Sequence, residues 1–289
     1  MKGLIFIHLI CFALGANQTL KNLISDGHYV PLIEELSEVN AGQKMVILID
    51  VETNSSLRTC LQNAYSNKNV TLFCIHLPKR EIPDIEYHIE TIGDNVAELI
   101  FNMCKNNTIN INNLELVCNG IGCDVAGIAG KKFTQRKLNE NQLRKIPNII
   151  AFNPTGLNKF EDFDLNSNLQ PEDADKVVVF HTNDAFRGDG TRLGTLDIFL
   201  NGDAYQPSCV SEENADKCSH QFACEFYAGL LTNTDVTMIA YDYEKFVEAR
   251  EEGDIHIAQG EQLSSLDQLL SKTGSYIVKT TPKRMFSIN

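Results

Sequence analysis

The sequence predicts an α/β domain, with a mostly parallel central sheet and helices on both faces. Two observations carry that expectation. Five short apolar runs, Met45–Ile49, Val70–Ile75, Leu114–Cys118, Ile149–Phe152 and Val177–Phe180, are rich in β-branched residues, as strands covered on both faces of a parallel sheet are. Helical patterns lie between them. The clearest is Asp84–Cys104, where Ile85, Ile89, Ile92, Val96, Leu99 and Met103 recur on one face. Strand alternating with helix in this way implies βαβ units.

Taken in order, residues 1–16 read as a secretory signal peptide. Lys2 supplies the positive start, the apolar run Leu4–Leu14 is too short to span a bilayer, and Ala13-x-Gly15 offers a small-residue cleavage site. Residues 17–289 are expected to form a single domain, since 43% hydrophobic residues suffice for one large core and no linker or repeat divides them. Nothing later resembles a transmembrane segment, so the mature protein is expected to be soluble, secreted and extracellular. A net charge of −13 without a lysine or arginine cluster argues against nucleic acid or an anionic membrane surface as partner. After Phe180 the alternation gives way to a glycine-rich loop, then Cys209 to Cys218, then an amphipathic stretch from His220 to Leu231.

Cysteine usage agrees with export. Cys11 leaves with the signal peptide, and Cys60, Cys74, Cys104, Cys118, Cys123, Cys209, Cys218 and Cys224 remain. An even number in an oxidising compartment implies disulfides, although spacing alone does not pair them. Sequons begin at Asn17, Asn54, Asn69 and Asn106, and the last three are taken as glycosylation sites.

The stretch Leu114–Lys131, LELVCNGIGCDVAGIAGK, reads as a strand ending in Val117 and Cys118, a turn at Asn119-Gly120-Ile121-Gly122, and a helix over Asp124–Gly130 with a small-residue face. This is the frame of the nucleophile elbow, G-x-S-x-G. Gly120 stands where the serine belongs, and Cys118 where the first glycine belongs. The dinucleotide fingerprint G-x-G-x-x-G does not fit: Val125 holds the third glycine position, and the next strand ends in Phe152-Asn153-Pro154 without an acid.

Four segments together carry a resemblance. VCNGIGCDVAGIAGK is similar to I-G-H-S-L-G-A-H-V-A-G-x-A-G-K, and IIAFNPTGLNKF to I-x-G-L-D-P-A-G-P-x-F. Asp173-Ala174-Asp175 through His181-Thr182, followed by LDIFLNGDAYQPSC, resembles D-A-x-F-V-x-x-I-H-T and V-D-F-Y-P-N-G-G-x-x-Q-P-G-C. Cys218-Ser219-His220 matches C-S-H. These are motifs of the pancreatic-lipase family, which includes insect venom phospholipases and the yolk proteins of flies. The resemblance implies an α/β-hydrolase fold, without the C-terminal β-sandwich of the longer members.

It also implies where the chemistry would sit. The nucleophile position is Gly120, the acid position is Asn153 and the histidine position is His220. The oxyanion positions are Asp50, Val51 and Ile121, with Asp50-Val51-Glu52 replacing the family's H-G-W or H-G-F. A carboxylate there opposes a developing oxyanion. Cys209 and Cys218 would close a short lid loop, stabilising by roughly 2–3 kcal/mol on the loop-entropy model.

Loss of a triad nucleophile alone costs on the order of a million-fold in turnover, so ordinary ester hydrolysis is not expected. Two rescues remain open: a thiolate of Cys118 or Cys123 as nucleophile, and Asp175 or Asp184 as the group orienting His220. The reading is a secreted lipase-like protein without catalysis. It would bind a lipid, an acyl-bearing ligand or another secreted protein, or serve as a yolk-like or secretory accessory protein. The competing reading is a carboxylic ester hydrolase with displaced catalytic residues. Neither a cofactor nor a metal is expected.

Overall fold

The apolar runs become strands buried on both faces, and they dictate the rest of the architecture. The computed structural model describes residues 32–35, 37, 43–50, 56–77, 88–139, 142–155, 169–183, 190–202, 205–232, 238–253 and 258–280. Its strands are β1 (Leu32–Glu35), β2 (Lys44–Asp50), β3 (Val70–His76), β4 (Leu114–Asn119), a small hairpin β5 (Lys137–Asn139) and β6 (Gln142–Leu143), β7 (Ile146–Phe152), β8 (Ala174–His181), β9 (Leu196–Leu200), β10 (Met238–Asp242), β11 (Glu261–Leu263) and β12 (Gly274–Lys279). All but the hairpin form one sheet in the order β1-β3-β2-β4-β7-β8-β9-β12-β10-β11. Pairing is parallel from β3 through β12 and antiparallel at both edges, where β1 meets β3 and β10 meets β12 and β11. Every predicted run lies inside one of these strands.

Helices α1 (Ser56–Tyr65), α2 (Ile89–Lys105), α3 (Gly122–Thr134), α4 (Ala215–Thr232), α5 (Tyr243–Glu251) and α6 (Leu266–Leu270) complete the layers. Strand β4 shows how the two cores arise from a period of two. Leu114, Leu116 and Cys118 join the cluster that includes Val96 and Ile100 of α2 and Val125 and Ala129 of α3. Val117 joins the opposite cluster, with Leu61 of α1 and Ala223 and Tyr227 of α4.

Glu115 shares that second face, where a buried carboxylate must be paired. Lys44 Nζ lies 2.9 Å from its Oε2, the Tyr65 hydroxyl donates to Oε1 at 3.1 Å, and the Tyr227 hydroxyl reaches the same oxygen at 3.5 Å. Burial pushes both tyrosine hydroxyls well above their usual pKa range, which keeps them protonated as donors.

The predicted helices change mainly at their ends. Asp84 and Ile85 lie outside the described residues, and the buried face of α2 carries Ile89, Ile92, Val96, Leu99 and Met103. Helix α3 outruns Asp124–Gly130, with Asp124 in its first turn and Lys131 and Lys132 in its last, each matching the sign of the helix dipole. The stretch from His220 begins earlier, at Ala215, because Asn214 caps it: its Oδ1 accepts from Lys217 N at 2.9 Å. Asn69 and Asn106 occupy exposed turns after α1 and α2. Residues 1–16, Asn17, Val51, Glu52, Asn54 and Asp184 lie outside the described residues. Among the described residues no helix is long and apolar enough to cross a membrane.

Candidate active site

Parallel strands align their carboxyl ends, and the three positions of interest gather at that edge. Gly120 follows β4, Asn153 follows β7, and His220 lies in the second turn of α4. Gly120 N donates to Phe152 O at 3.0 Å, and Asn153 Nδ2 donates to the main-chain oxygen of His220 at 3.0 Å. Two hydrogen bonds thus connect the elbow to the residue before Asn153, and Asn153 to the histidine.

The elbow keeps its backbone shape. Gly120 has φ +53°, in the left-handed region that a side chain enters only with strain. Cys123 N donates to Gly120 O at 3.0 Å and closes the turn. Gly122 lets the helix start against the end of β2, since a Cβ there would stand 2.5 Å from Ile49 O. Among the described residues, a Cβ on Gly120 would meet Thr155 Oγ1, at 3.4 Å.

The position that the motif assigns to the acid holds an amide. Asn153 is fully buried, and it too has a positive φ, +43°, which asparagine tolerates better than most residues. Its Oδ1 accepts from Thr182 N at 2.8 Å. A backbone N–H demands an acceptor and the His220 carbonyl demands a donor, so these two neighbours fix which way the amide points. The remaining contacts of the amide go to Thr182 Oγ1, at 2.9 and 3.0 Å. None of these bonds goes to the imidazole ring of His220.

Further amides extend this network along the strand ends. Gln206 is fully buried and donates from Nε2 to Thr182 O and Leu200 O, both at 3.0 Å, while its own N–H donates to Ser219 Oγ at 3.0 Å. Asn201 donates to Gln206 Oε1 and Thr280 Oγ1 at 2.8 Å and accepts from Thr280 N at 2.9 Å. Beneath the network, Phe152, Phe180 and Tyr227 pack with ring centroids 5.5–5.7 Å apart and seat α4 on the sheet. Sequence reasoning gave Thr155, Thr182 and Gln206 no role. The Q-P-S-C segment was the available signal for Gln206.

Two acidic residues border the elbow. Asp50, the last residue of β2, and Asp124 of α3 are both buried. Burial pushes the Cys118 thiol above its ordinary range, and the charges of Asp124 and Asp50 push it the same way. Burial likewise raises Cys123, with Cys118 and Asp124 adding to it. Both thiols are therefore protonated and shielded, the opposite of a reactive thiolate. Ile121, at the remaining oxyanion position, precedes α3 with its side chain turned inward. Asp175 is no substitute acid: it sits near the amino end of β8, six residues before His181, or about 20 Å along an extended strand.

A buried His–Asp pair does exist nearby, between His181 Nε2 and Asp197 Oδ1 at 2.9 Å. Its ring stacks on Phe199 at 4.2 Å, and Asp197 also accepts from Leu193 N and Gly194 N. With both side chains almost wholly buried it has no face for a substrate. Cys209 and Cys218 are disulfide-bonded, Cα–Cα 5.6 Å. α4 starts inside the loop they close, and Val210 projects from it, 70% exposed. Among the described residues no cluster of histidine, cysteine, aspartate or glutamate could hold a metal ion.

A sequence model described as Lipase matches residues 35–252. Phospholipase A1 of Vespa velutina is 28% identical over 145 residues, 50% of this chain and 45% of its own length. Lipoprotein lipase of Neovison vison is 30% identical over 175 residues, 53% of this chain and 34% of its own length. The chain spans less than half the length of these curated relatives. Among solved structures, an arylesterase overlays 78% of this chain and 90% of its own at a TM-score of 0.40 and 11% identity.

Proposed function

On the premise that the chain belongs to the Lipase family, with an α/β-hydrolase fold, we propose that it is a secreted, catalytically inactive member that binds a lipid or another acyl-bearing ligand. The observation that carries this reading is the elbow itself, a left-handed turn at Gly120 with no side chain on it. Two others support it. Asn153 is committed to Thr182 and the main chain of His220, and Asp50 and Asp124 lie near enough to the elbow strand to raise the Cys118 thiol. An oxyanion site needs donors, and two buried carboxylates nearby raise the barrier it exists to lower.

A lipid ligand is the natural expectation for a relative of phospholipase A1 and lipoprotein lipase. The acidic surface and the signal-like residues 1–16 support export. Lipid extraction and native mass spectrometry of the secreted protein test the binding role. An acyl lipid should leave with the protein in stoichiometric amount, and a protein that is lipid-free from several sources has some other role.

One observation favours a second reading, an ester hydrolase with a displaced hydroxyl. Among the described residues, Thr155 Oγ1 is the nearest side-chain atom to the space a Gly120 side chain would fill. Hydrolysis of a short-chain ester that disappears in Thr155→Val would establish it.

A further inference from the structure

The elbow carries two cysteines for which the proposed binding role has no use. Cys118 is the penultimate residue of β4 and Cys123 the second residue of α3, and both are fully buried. Both are free thiols in the structure, near enough for each to raise or lower the other's ionisation. Both also aim at β7: Cys118 Sγ lies 3.6 Å from Ile150 O, and Cys123 Sγ 4.0 Å from Phe152 O. Only Asn119-Gly120-Ile121-Gly122 separates them, and the Cys123 N to Gly120 O hydrogen bond already folds that segment back on itself. A turn this short brings the two thiols to the same strand, against the carbonyls of Ile150 and Phe152, and an oxidising compartment supplies the driving force for joining them.

We propose that Cys118 and Cys123 form a disulfide that clasps the elbow, so that the turn is a site of covalent modification. Each thiol loses its proton, one S–S bond forms, and the electron pair passes to a protein or glutathione disulfide of the secretory compartment, which is reduced to two thiols. The reaction belongs to folding. Once the elbow is buried, neither thiol ionises readily and no exchange partner reaches it. The clasp is thereafter shielded from reductants and pins the ends of the Gly120 turn without a side chain at its tip. The inference rests on export, as proposed above, and the Cys209–Cys218 bond is its internal reference.

The test is differential alkylation of the full chain as secreted. The protein is denatured in an alkylating agent without reductant, deglycosylated and digested with trypsin. Both cysteines fall on one tryptic peptide, residues 106–131, which holds no other cysteine. That peptide should be unalkylated and lighter by two hydrogens, and should gain two alkyl groups only after reduction. Alkylation of both thiols without reduction, while Cys209 and Cys218 stay linked, overturns the clasp alone. Alkylation of all four overturns the clasp together with export.

Discussion

The elbow and the amide network stand at the same edge of the sheet, yet they depart from the family's motif in opposite ways. At the elbow only the backbone is left: Gly120 keeps the left-handed turn, and the functional group is gone. At the network the buried amides are engaged, with Asn153, Thr182 and Gln206 tying together β7, β8, β9 and α4. A turn built of small residues needs no side chain at Gly120 to close, because Cys123 N donates to Gly120 O. A buried polar position cannot be emptied and has to be refilled, since an unsatisfied group there costs about 1–3 kcal/mol. The difference predicts that substitutions in the network are expensive and substitutions at Gly120 are mild.

The largest effect should come from returning the acid. In Asn153→Asp a carboxylate oxygen faces the His220 carbonyl where an N–H now donates, and burial leaves the charge uncompensated. Denaturant melts at pH 7 should show a loss of about 3–5 kcal/mol. The loss should shrink at acidic pH, as the carboxyl takes up a proton and donates again. A neutral substitution would mean that the site still accommodates a catalytic acid.

Asp173 gives the elbow helix a smaller, pH-dependent test. It packs beneath α3, where a Cβ on Gly127 would stand 2.7 Å from its Oδ2. Burial raises its pKa to about 7 from 3.8, partly offset by the hydrogen bond from Gln170 N. The folded state therefore holds a proton that the unfolded chain releases first, and stability falls as pH rises from about 4 to 7. The fall is about 4 kcal/mol at most. Asp173→Asn should flatten the stability profile across that window, and an unchanged slope would refute the assignment.

Gly120→Ala should be the mildest. Thr155 Oγ1 at 3.4 Å leaves room for the methyl, so only the positive φ is penalised, by about 1 kcal/mol. A raised melting midpoint would show that the turn does not hold the elbow conformation.

The sequence made the parallel sheet legible because strands buried on both faces leave continuous apolar runs, and each run from Met45 to Phe180 lies within a strand. The motif spacing also singled out Gly120, Asn153 and His220, and all three stand at one edge of the sheet. Helix ends were harder, because the start of α4 depends on one hydrogen bond from Lys217 N to Asn214 Oδ1. Glu115 was illegible, since its partners Lys44, Tyr65 and Tyr227 are 71, 50 and 112 residues away. So was the use of Asn153. A substitution of amide for acid reads as a loss, and only the His220 carbonyl opposite its Nδ2 reveals a new fastener.

The central claim, an elbow kept in shape without its chemistry, is tested most directly with a fluorophosphonate probe on three proteins: wild type, His220→Ala and Gly120→Ser. Wild type should take up no label beyond the His220→Ala background, and Gly120→Ser should recover little, because Asn153 and Asp50 still oppose the reaction. Covalent labelling of wild type that vanishes in His220→Ala would contradict the account and make this protein an enzyme.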